Sequence, residues 1–236
     1  MQEPRDRLSP SFSFGPRRRK EGDSSRQNSG RGASSPPART QPPAPAEASP
    51  PASGPTPAAP GTFRQWVGAG RATLAIAFTD IVSSSALGAK IGDRTMNEIR
   101  RAHFRRAEGL VATHDGCVIK TMGDSVMAAF HAAAEALDFA LAIHADPGDP
   151  RIRVRVGIHV GPVTVEAHDA QGTTVNYAAR VVSAPKGDEI WLSSEAKGHV
   201  DQQGEPQHAT LPWQTHGQLE LKGFAGKHIL WSVAMR

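Results

Sequence analysis

The 236 residues include one cysteine and one tyrosine, and no apolar stretch approaches the roughly 18 residues of a membrane-crossing helix. A lone Cys117 excludes an internal disulfide and a zinc site built on several thiolates. It suits a reducing compartment, and its simplest place is as a small apolar residue on a strand. The first twenty residues are charged and broken by Pro4, Pro10 and Pro16, and Arg17 to Lys20 lead into polar sequence where a secretory leader needs an apolar core. A cytoplasmic protein with no membrane span is expected. Aromatic residues are scarce at 6%, and no aromatic pair lines a strand on which bases could stack, so nucleic acid is not an expected partner.

What is present is unevenly distributed. Lys+Arg 27 against Asp+Glu 23 gives a net charge of +4. Met1 to Thr62 hold nine Lys/Arg and five Asp/Glu, which leaves eighteen of each for the rest of the chain. The whole net charge therefore lies in the first quarter, with thirteen of the nineteen prolines. From Gln2 to Gly61 almost the only large apolar side chains are Leu8, Phe12 and Phe14, too few to offset the entropy of ordering the segment. Residues 1–62 are expected to be a disordered tail and residues 63–236 a single domain. Arg17 to Lys20 read as a solvated charge run, and the tail is where a regulator of unknown kind would act.

Within the domain, Thr73 to Ile81 is an apolar run that ends at a carboxylate, as a buried strand would. Asp93 is placed to cap a helix running to about His114, with Met96, Ile99, His103, Ala107, Leu110 and Val111 on one face. Gly123-Asp124 between Gly116–Met122 and Ser125–Phe130 signals a hairpin. His131 to His144 is predicted helical, Arg151 to Val160 a strand with one solvated face at its start, Thr174 to Val182 helical and Glu189 to Leu192 a strand. Gln218–Lys222 and His228–Val233 close the domain as strands. This mixed order predicts an α+β sandwich with helices on one face of a mostly antiparallel sheet.

Two aspartates stand out. Asp80 ends the first strand and Asp124 occupies the hairpin turn, 124 − 80 = 44 residues later. If the hairpin pairs beside that strand, both carboxylates reach one edge and can hold a hard cation such as Mg²⁺. After Asp80, the small residues Ser83, Ser84 and Ser85 offer backbone N–H groups suited to phosphate oxygens. On the helix near residue 176, Val175, Ala178, Ala179 and Val182 form an apolar stripe and leave Asn176 and Arg180 together on another face, an amide and a guanidinium fit for developing phosphoryl charge.

As a set these residues resemble a known family. FTDIVSSS (Phe78–Ser85), VIKTMGDSVMAAF (Val118–Phe130), VRVGIHVGPV (Val154–Val163), GTTVNYAAR (Gly172–Arg180) and LKGF (Leu221–Phe224) look like the successive signatures of the class III nucleotidyl cyclase catalytic domain. The resemblance covers roughly Phe63 to Val233 and implies that family's ferredoxin-like α/β sandwich. It departs at Ser83, where the family often has glycine, and Pro206 to Gln218 match no signature. His159 belongs to the strand signature and is expected to be structural.

The resemblance implies that Asp80 and Asp124, with the Ile81 carbonyl, bind two divalent ions per site, Mg²⁺ or Mn²⁺. Asn176 and Arg180 would orient the ribose and stabilise the transition state, and Lys222, on its strand, would touch the triphosphate. Lys120 and Asp169 stand where adenine-selective members carry their base-reading pair. A lysine donor and a carboxylate acceptor match adenine's ring nitrogen and exocyclic amine. The implied function is an adenylate cyclase that takes ATP to 3′,5′-cyclic AMP and pyrophosphate. The implied assembly is a head-to-tail homodimer in which Asp80 and Asp124 of one chain face Lys120, Asp169, Asn176 and Arg180 of the other. Two alternatives stay open at this point: a cyclase for GTP or a pyrimidine nucleotide, and a catalytically silent nucleotide-binding signalling module.

Overall fold

The computed structural model describes residues Gly61–Ala234, so the expectation of a disordered tail concerns, apart from Gly61 and Thr62, residues outside that range. In chain order the elements are α1 (Phe63–Val67), β1 (Arg71–Ile81), α2 (Ser84–Ile91), α3 (Asp93–Thr113), β2 (Cys117–Met122), β3 (Ser125–Phe130), α4 (Ala133–Ala145), β4 (Val154–Val165), β5 (Ala170–Gln171), α5 (Thr173–Ser183), β6 (Ile190–Ser193), α6 (Ser194–Gln203), α7 (Pro206–Ala209), β7 (Trp213–Leu219) and β8 (His228–Val233). One sheet runs β2-β3-β1-β4-β6-β8-β7, with β5 beside β4. Every pairing is antiparallel except that of β4 with β6. The α+β class and the mostly antiparallel sheet are as expected.

The helices, however, cover both faces. β1 is buried without a break from Leu74 to Thr79, and because side chains alternate along a strand, such a run needs cover on each side. Ala75 and Ala77 pack with Val126, Ala128, Val156 and Ile158 beneath α3, α4 and α6. Leu74, Ile76 and Phe78 pack with Met127, Ala129 and Val163 against Phe63 of α1 and Ala178 and Val182 of α5. A period-two pattern does not distinguish one buried face from two when both are apolar, which is why the sequence reading placed all helices together.

The α3 stripe is buried at all six expected positions. Asp93, expected as the cap, is instead the first helical residue, and Gly92 takes the cap position. Met122 pairs with Ser125, and only the first central residue, Gly123, has positive φ (63°), as a type II′ turn requires. β4 begins at Val154, so Arg151 to Arg153 precede the strand. β7 starts at Trp213 and ends at Leu219, earlier than the predicted Gln218–Lys222; Gln218 has φ 61° and the β7–β8 register slips between His216 and Leu219, which breaks the ladder there. The short helices α1, α2, α6 and α7 carry no strong apolar period and were not anticipated. α1 is held by a capping box: Thr62 Oγ1 accepts from Gln65 N–H at 3.3 Å and Gln65 Oε1 accepts from Thr62 N–H at 2.6 Å.

Helix α5 lies hard against β4 at two glycines. A Cβ at Gly157 would sit 2.2 Å from Val182 N, and one at Gly161 would sit 2.6 Å from Thr174 Oγ1. The first clash is with backbone, which cannot turn aside. Gly157→Ala is therefore expected to lower the unfolding free energy by about 1–3 kcal/mol or more through overpacking, measured by denaturant titration; unchanged stability would show that α5 can shift freely off the sheet.

Candidate functional site

The Asp80 end of the site forms because β1 lies between β3 and β4. Pairing of Thr79 with Val126 puts Asp80 beside the Gly123-Asp124 turn, and Ser125 Oγ donates to Asp80 Oδ1 at 3.1 Å. Asp80 is also in register with Arg155 of β4. Arg155 Nε donates to Asp80 Oδ2 at 2.7 Å, its Nη2 donates to the same oxygen, and Nη1 donates to Pro185 O at 3.1 Å. Asp80 and Arg155 are both largely buried, at 20% and 26% side-chain exposure. The sequence reading missed Arg155. Its alternation in Arg-Ile-Arg-Val-Arg looks the same for a solvated arginine and for one paired inward, and only the register with Asp80 tells them apart.

The donor set at this end consists of carboxylates and carbonyls. Among the described residues no three His, Cys, Asp or Glu side chains converge. A cation between Asp80 and Asp124 would thus complete its shell with a carbonyl such as that of Ile81, with phosphate oxygens and with water, the donors Mg²⁺ and Mn²⁺ favour. That Asp80 already holds a guanidinium agrees with a carboxylate placed to meet positive charge.

After Asp80 the chain turns into α2 at Ser83, which holds the left-handed conformation (φ 56°, ψ 33°). This accounts for the departure noted at that position, because glycine adopts that conformation without the cost a side chain brings. Ser84 and Ser85 begin α2, so their backbone N–H groups belong to a helix N-terminus where an anion is favoured.

Lys120 and Asp169, 49 residues apart in sequence, meet in space: Lys120 Nζ donates to Asp169 Oδ2 at 2.7 Å. Both are about one-third exposed. Asp169 Oδ1 accepts from Ala170 N–H at 2.8 Å, which fixes the carboxylate at the β5 edge. Lys120 pairs with Met127, whose side chain belongs to the α5-side core, and this places the lysine on that same face.

Asn176 is exposed on α5, and Arg180, one turn on, is half-buried. The Arg180 Nε is buried with no hydrogen-bond partner within the chain. Lys222 is not on a strand: it sits exposed in the turn between β7 and β8, beside an open groove of about 660 Å³ that Lys227 and Phe224 also line. Among the described residues no hydrogen bond or ion pair joins the Asp80 group to Lys120, Asp169, Asn176 or Arg180.

His159, on the β4 strand signature, is 8% exposed and packs at 4.3 Å from the Tyr177 ring. Its Nδ1 meets Ser193 Oγ at 2.7 Å, and that oxygen accepts the Ala196 N–H that opens α6. Burial pushes the His159 pKa down to about 4, against a smaller upward pull from Glu195. Burial, and then Glu195, push Tyr177 up to about 12, and its hydroxyl lies 3.0 Å from His228 Nδ1.

The family model described as the adenylate and guanylate cyclase catalytic domain matches residues 70–234. An adenylate cyclase of Streptomyces coelicolor is 35% identical over 116 residues, which make up 48% of this chain and only 30% of that protein. The adenylyl cyclase CyaB of P. aeruginosa superposes with a TM-score of 0.61 at 21% identity over 70% of this chain and 95% of its own. The GTP-bound guanylate cyclase domain from Catenaria anguillulae does so with a TM-score of 0.59 at 22% identity, over 70% and 97%. These two likenesses bear on the fold and do not discriminate between bases.

The buried neutral His159 makes stability depend on pH. Its folded pKa lies below the ordinary 6.5, so the unfolded chain takes up the proton first as the pH falls. The stability loss begins as the pH drops through 6.5 and is complete near 4, reaching about 3 kcal/mol at most. Wild type should therefore lose stability more steeply across that window than His159→Gln in chemical unfolding; parallel curves would remove His159 as a source of acid lability.

Proposed function

The chain belongs to the adenylate and guanylate cyclase catalytic domain family, and on that footing we propose that it is an adenylate cyclase that converts ATP to 3′,5′-cyclic AMP and pyrophosphate at two composite sites of a homodimer. The observation that carries the choice of base is the Lys120–Asp169 pair at 2.7 Å. The Nζ donates to a ring acceptor of adenine while Asp169 accepts from its exocyclic amine, a complement that guanine reverses at those atoms. In the absence of base, the two side chains satisfy each other.

Asp80 and Asp124, with the Ile81 carbonyl, would hold Mg²⁺ or Mn²⁺; when bound, such ions lower the pKa of the attacking hydroxyl and neutralise the leaving phosphates. The residues of the chain do the rest. Ser84 and Ser85 at the α2 N-terminus offer N–H groups to phosphate oxygens, beside the turn at Ser83. Asn176 orients the ribose, and the unpartnered Arg180 guanidinium meets the negative charge that develops as the 3′-oxygen bonds to the α-phosphorus and the bond to pyrophosphate breaks. Lys222, exposed in the turn between β7 and β8, would touch the triphosphate from the groove side. No covalent nucleophile is needed.

The homodimer reading is supported by the lack, among the described residues, of any hydrogen bond or ion pair that joins the two groups within one chain. A two-fold axis that lays one α5 face on another would bring Asp80 and Asp124 of one chain to Lys120, Asp169, Asn176 and Arg180 of its partner.

Incubation with each of four nucleoside triphosphates and Mn²⁺, read by mass spectrometry, should yield 3′,5′-cyclic AMP from ATP. A different cyclic nucleotide would assign another base, and no product from any would leave a silent module. Lys120→Glu should cost about 1–3 kcal/mol in kcat/KM for ATP, roughly 5- to 150-fold; unaltered turnover would place the base pocket elsewhere. An equal mixture of inactive Asp80→Asn and Arg180→Ala chains should recover about a quarter of wild-type activity, because half the dimers are mixed and half of their sites are intact. No recovery despite demonstrated subunit exchange would mean that each site lies within one chain.

A further inference from the structure

Beneath the Asp80 group lies a set of side chains that the proposed chemistry does not use. His103 of α3 and Thr79 of β1 are both 0% exposed, deep in the molecule, and Val126 of β3 is 1% exposed. His103 Nδ1 lies 2.9 Å from Pro147 O in the segment after α4, and Nε2 lies 3.2 Å from Thr79 Oγ1. Thr79 Oγ1 in turn accepts the Val126 N–H at 3.2 Å.

The proton positions follow from the partners. A carbonyl only accepts, so Nδ1 carries the hydrogen and donates to Pro147; burial lowers the basicity of the ring, and a neutral ring leaves Nε2 as an acceptor. The Thr79 hydroxyl must then donate to Nε2, which turns its lone pairs toward Val126. Each polar atom of the relay is satisfied, the Thr79 hydroxyl oxygen by both His103 and the Val126 N–H. Val126 follows Ser125, whose hydroxyl holds Asp80, and Ser125 follows Asp124; Thr79 precedes Asp80. The relay therefore ties together, from below, the two strand ends that present the two carboxylates.

We propose that His103 is a positioning residue: by orienting the Thr79 hydroxyl onto the Val126 N–H, it locks β1 to β3 where Asp80 and Asp124 emerge and so sets their spacing for divalent cations. This role rests on the reading of those aspartates as the metal site. His103 touches neither substrate nor ion. Its effect is expected in the metal dependence of the reaction, and less in nucleotide binding, because Lys120, although opposite Met127 and so next to Val126, points to the α5 face of the sheet while the relay lies on the α3 face.

The test uses the full chain with Thr79→Val, which keeps the shape and loses the hydroxyl, Thr79→Ser, which keeps the hydroxyl, His103→Leu, and the Thr79→Val/His103→Leu double variant. Thr79→Val and His103→Leu should each raise the Mn²⁺ concentration for half-maximal turnover by about tenfold, the scale on which outer-shell partners act on metal sites, with KM for the nucleotide nearly unchanged. The Val126 amide should exchange faster with deuterium in both, a readout independent of turnover. Thr79→Ser should restore wild-type behaviour on both measures. The double variant should be no worse than the weaker single one, since both break one relay.

Wild-type Mn²⁺ dependence and amide protection in Thr79→Val would overturn the proposal, as would multiplicative losses in the double variant. The Val–Ser comparison at position 79 stands even where a His103 variant fails to fold. Asp80→Asn separates the two readings: if it keeps wild-type Mn²⁺ dependence, the metal site itself is wrong and the role of His103 falls with it.

Discussion

Helix α5 reaches the sheet because β4 carries no side chain at Gly157 and Gly161. Val182 sits over the first and Thr174 over the second, and the Thr174 hydroxyl donates to Pro162 O at 2.6 Å. With Ala178 between them, the helix is seated along its length by its smallest side chains and by its own backbone. Seating that face fixes the other. Asn176 and Arg180 are carried at a height set by the strand beneath, so their reach into any ligand is decided by two missing methyl groups on a neighbouring element. Any side chain at Gly157 would lift the helix and those two donors with it, because packed interiors transmit displacement and do not absorb it.

The polar contacts of the domain fall into two grades. Arg155–Asp80 and Lys120–Asp169 are partly exposed ion pairs, and pairs in contact with water contribute about 0–1 kcal/mol to stability. Their value is orientation: each holds a side chain extended and charge-compensated, and each can exchange its partner for a ligand group at small cost. The His103–Thr79–Val126 relay is of the other grade. It is wholly buried and satisfied, so removing one member strands the others and incurs a desolvation penalty of about 1–3 kcal/mol. A site with exchangeable ion pairs above and a fixed relay below can bind and release while its carboxylates keep their spacing.

Much of this was legible in the sequence, for identifiable reasons. The α3 stripe has a strong period and β1 is a continuous apolar run, so both were placed correctly, and Gly123-Asp124 named its own turn. Lys120 and Asp169 could be paired only through the family resemblance, since nothing local joins residues 49 apart. Arg155 and Thr79 were invisible for a common reason: each looks ordinary in its own strand, and each acquires its role from a residue on the strand beside it. Lys222 was misplaced because a glycine-rich turn flanked by apolar residues reads like a strand until the β7–β8 ladder is seen to slip. Short helices such as α2 and α7, of eight and four residues, escape periodicity because they span too few turns to repeat it.

The arrangement also bears on why a second chain belongs on the α5 side under the proposed dimer. Trp66, Val67, Ala72, Ile119, Val175 and Ala179 are only partly buried there, around α5. Apolar surface left open is favourable to cover, and polar groups on that face also have unfinished partners: the Arg180 Nε has none within the chain, and Lys120 and Asp169 have chiefly each other. Closing such a face with a second copy about a two-fold axis buries the apolar residues of both chains at once. Under the proposed dimer it would also set the Asp80 end of each chain against the α5 donors of the other. The same constraint that presses α5 onto β4 thereby leaves the outward side of the helix turned toward the second chain that the proposed dimer would supply.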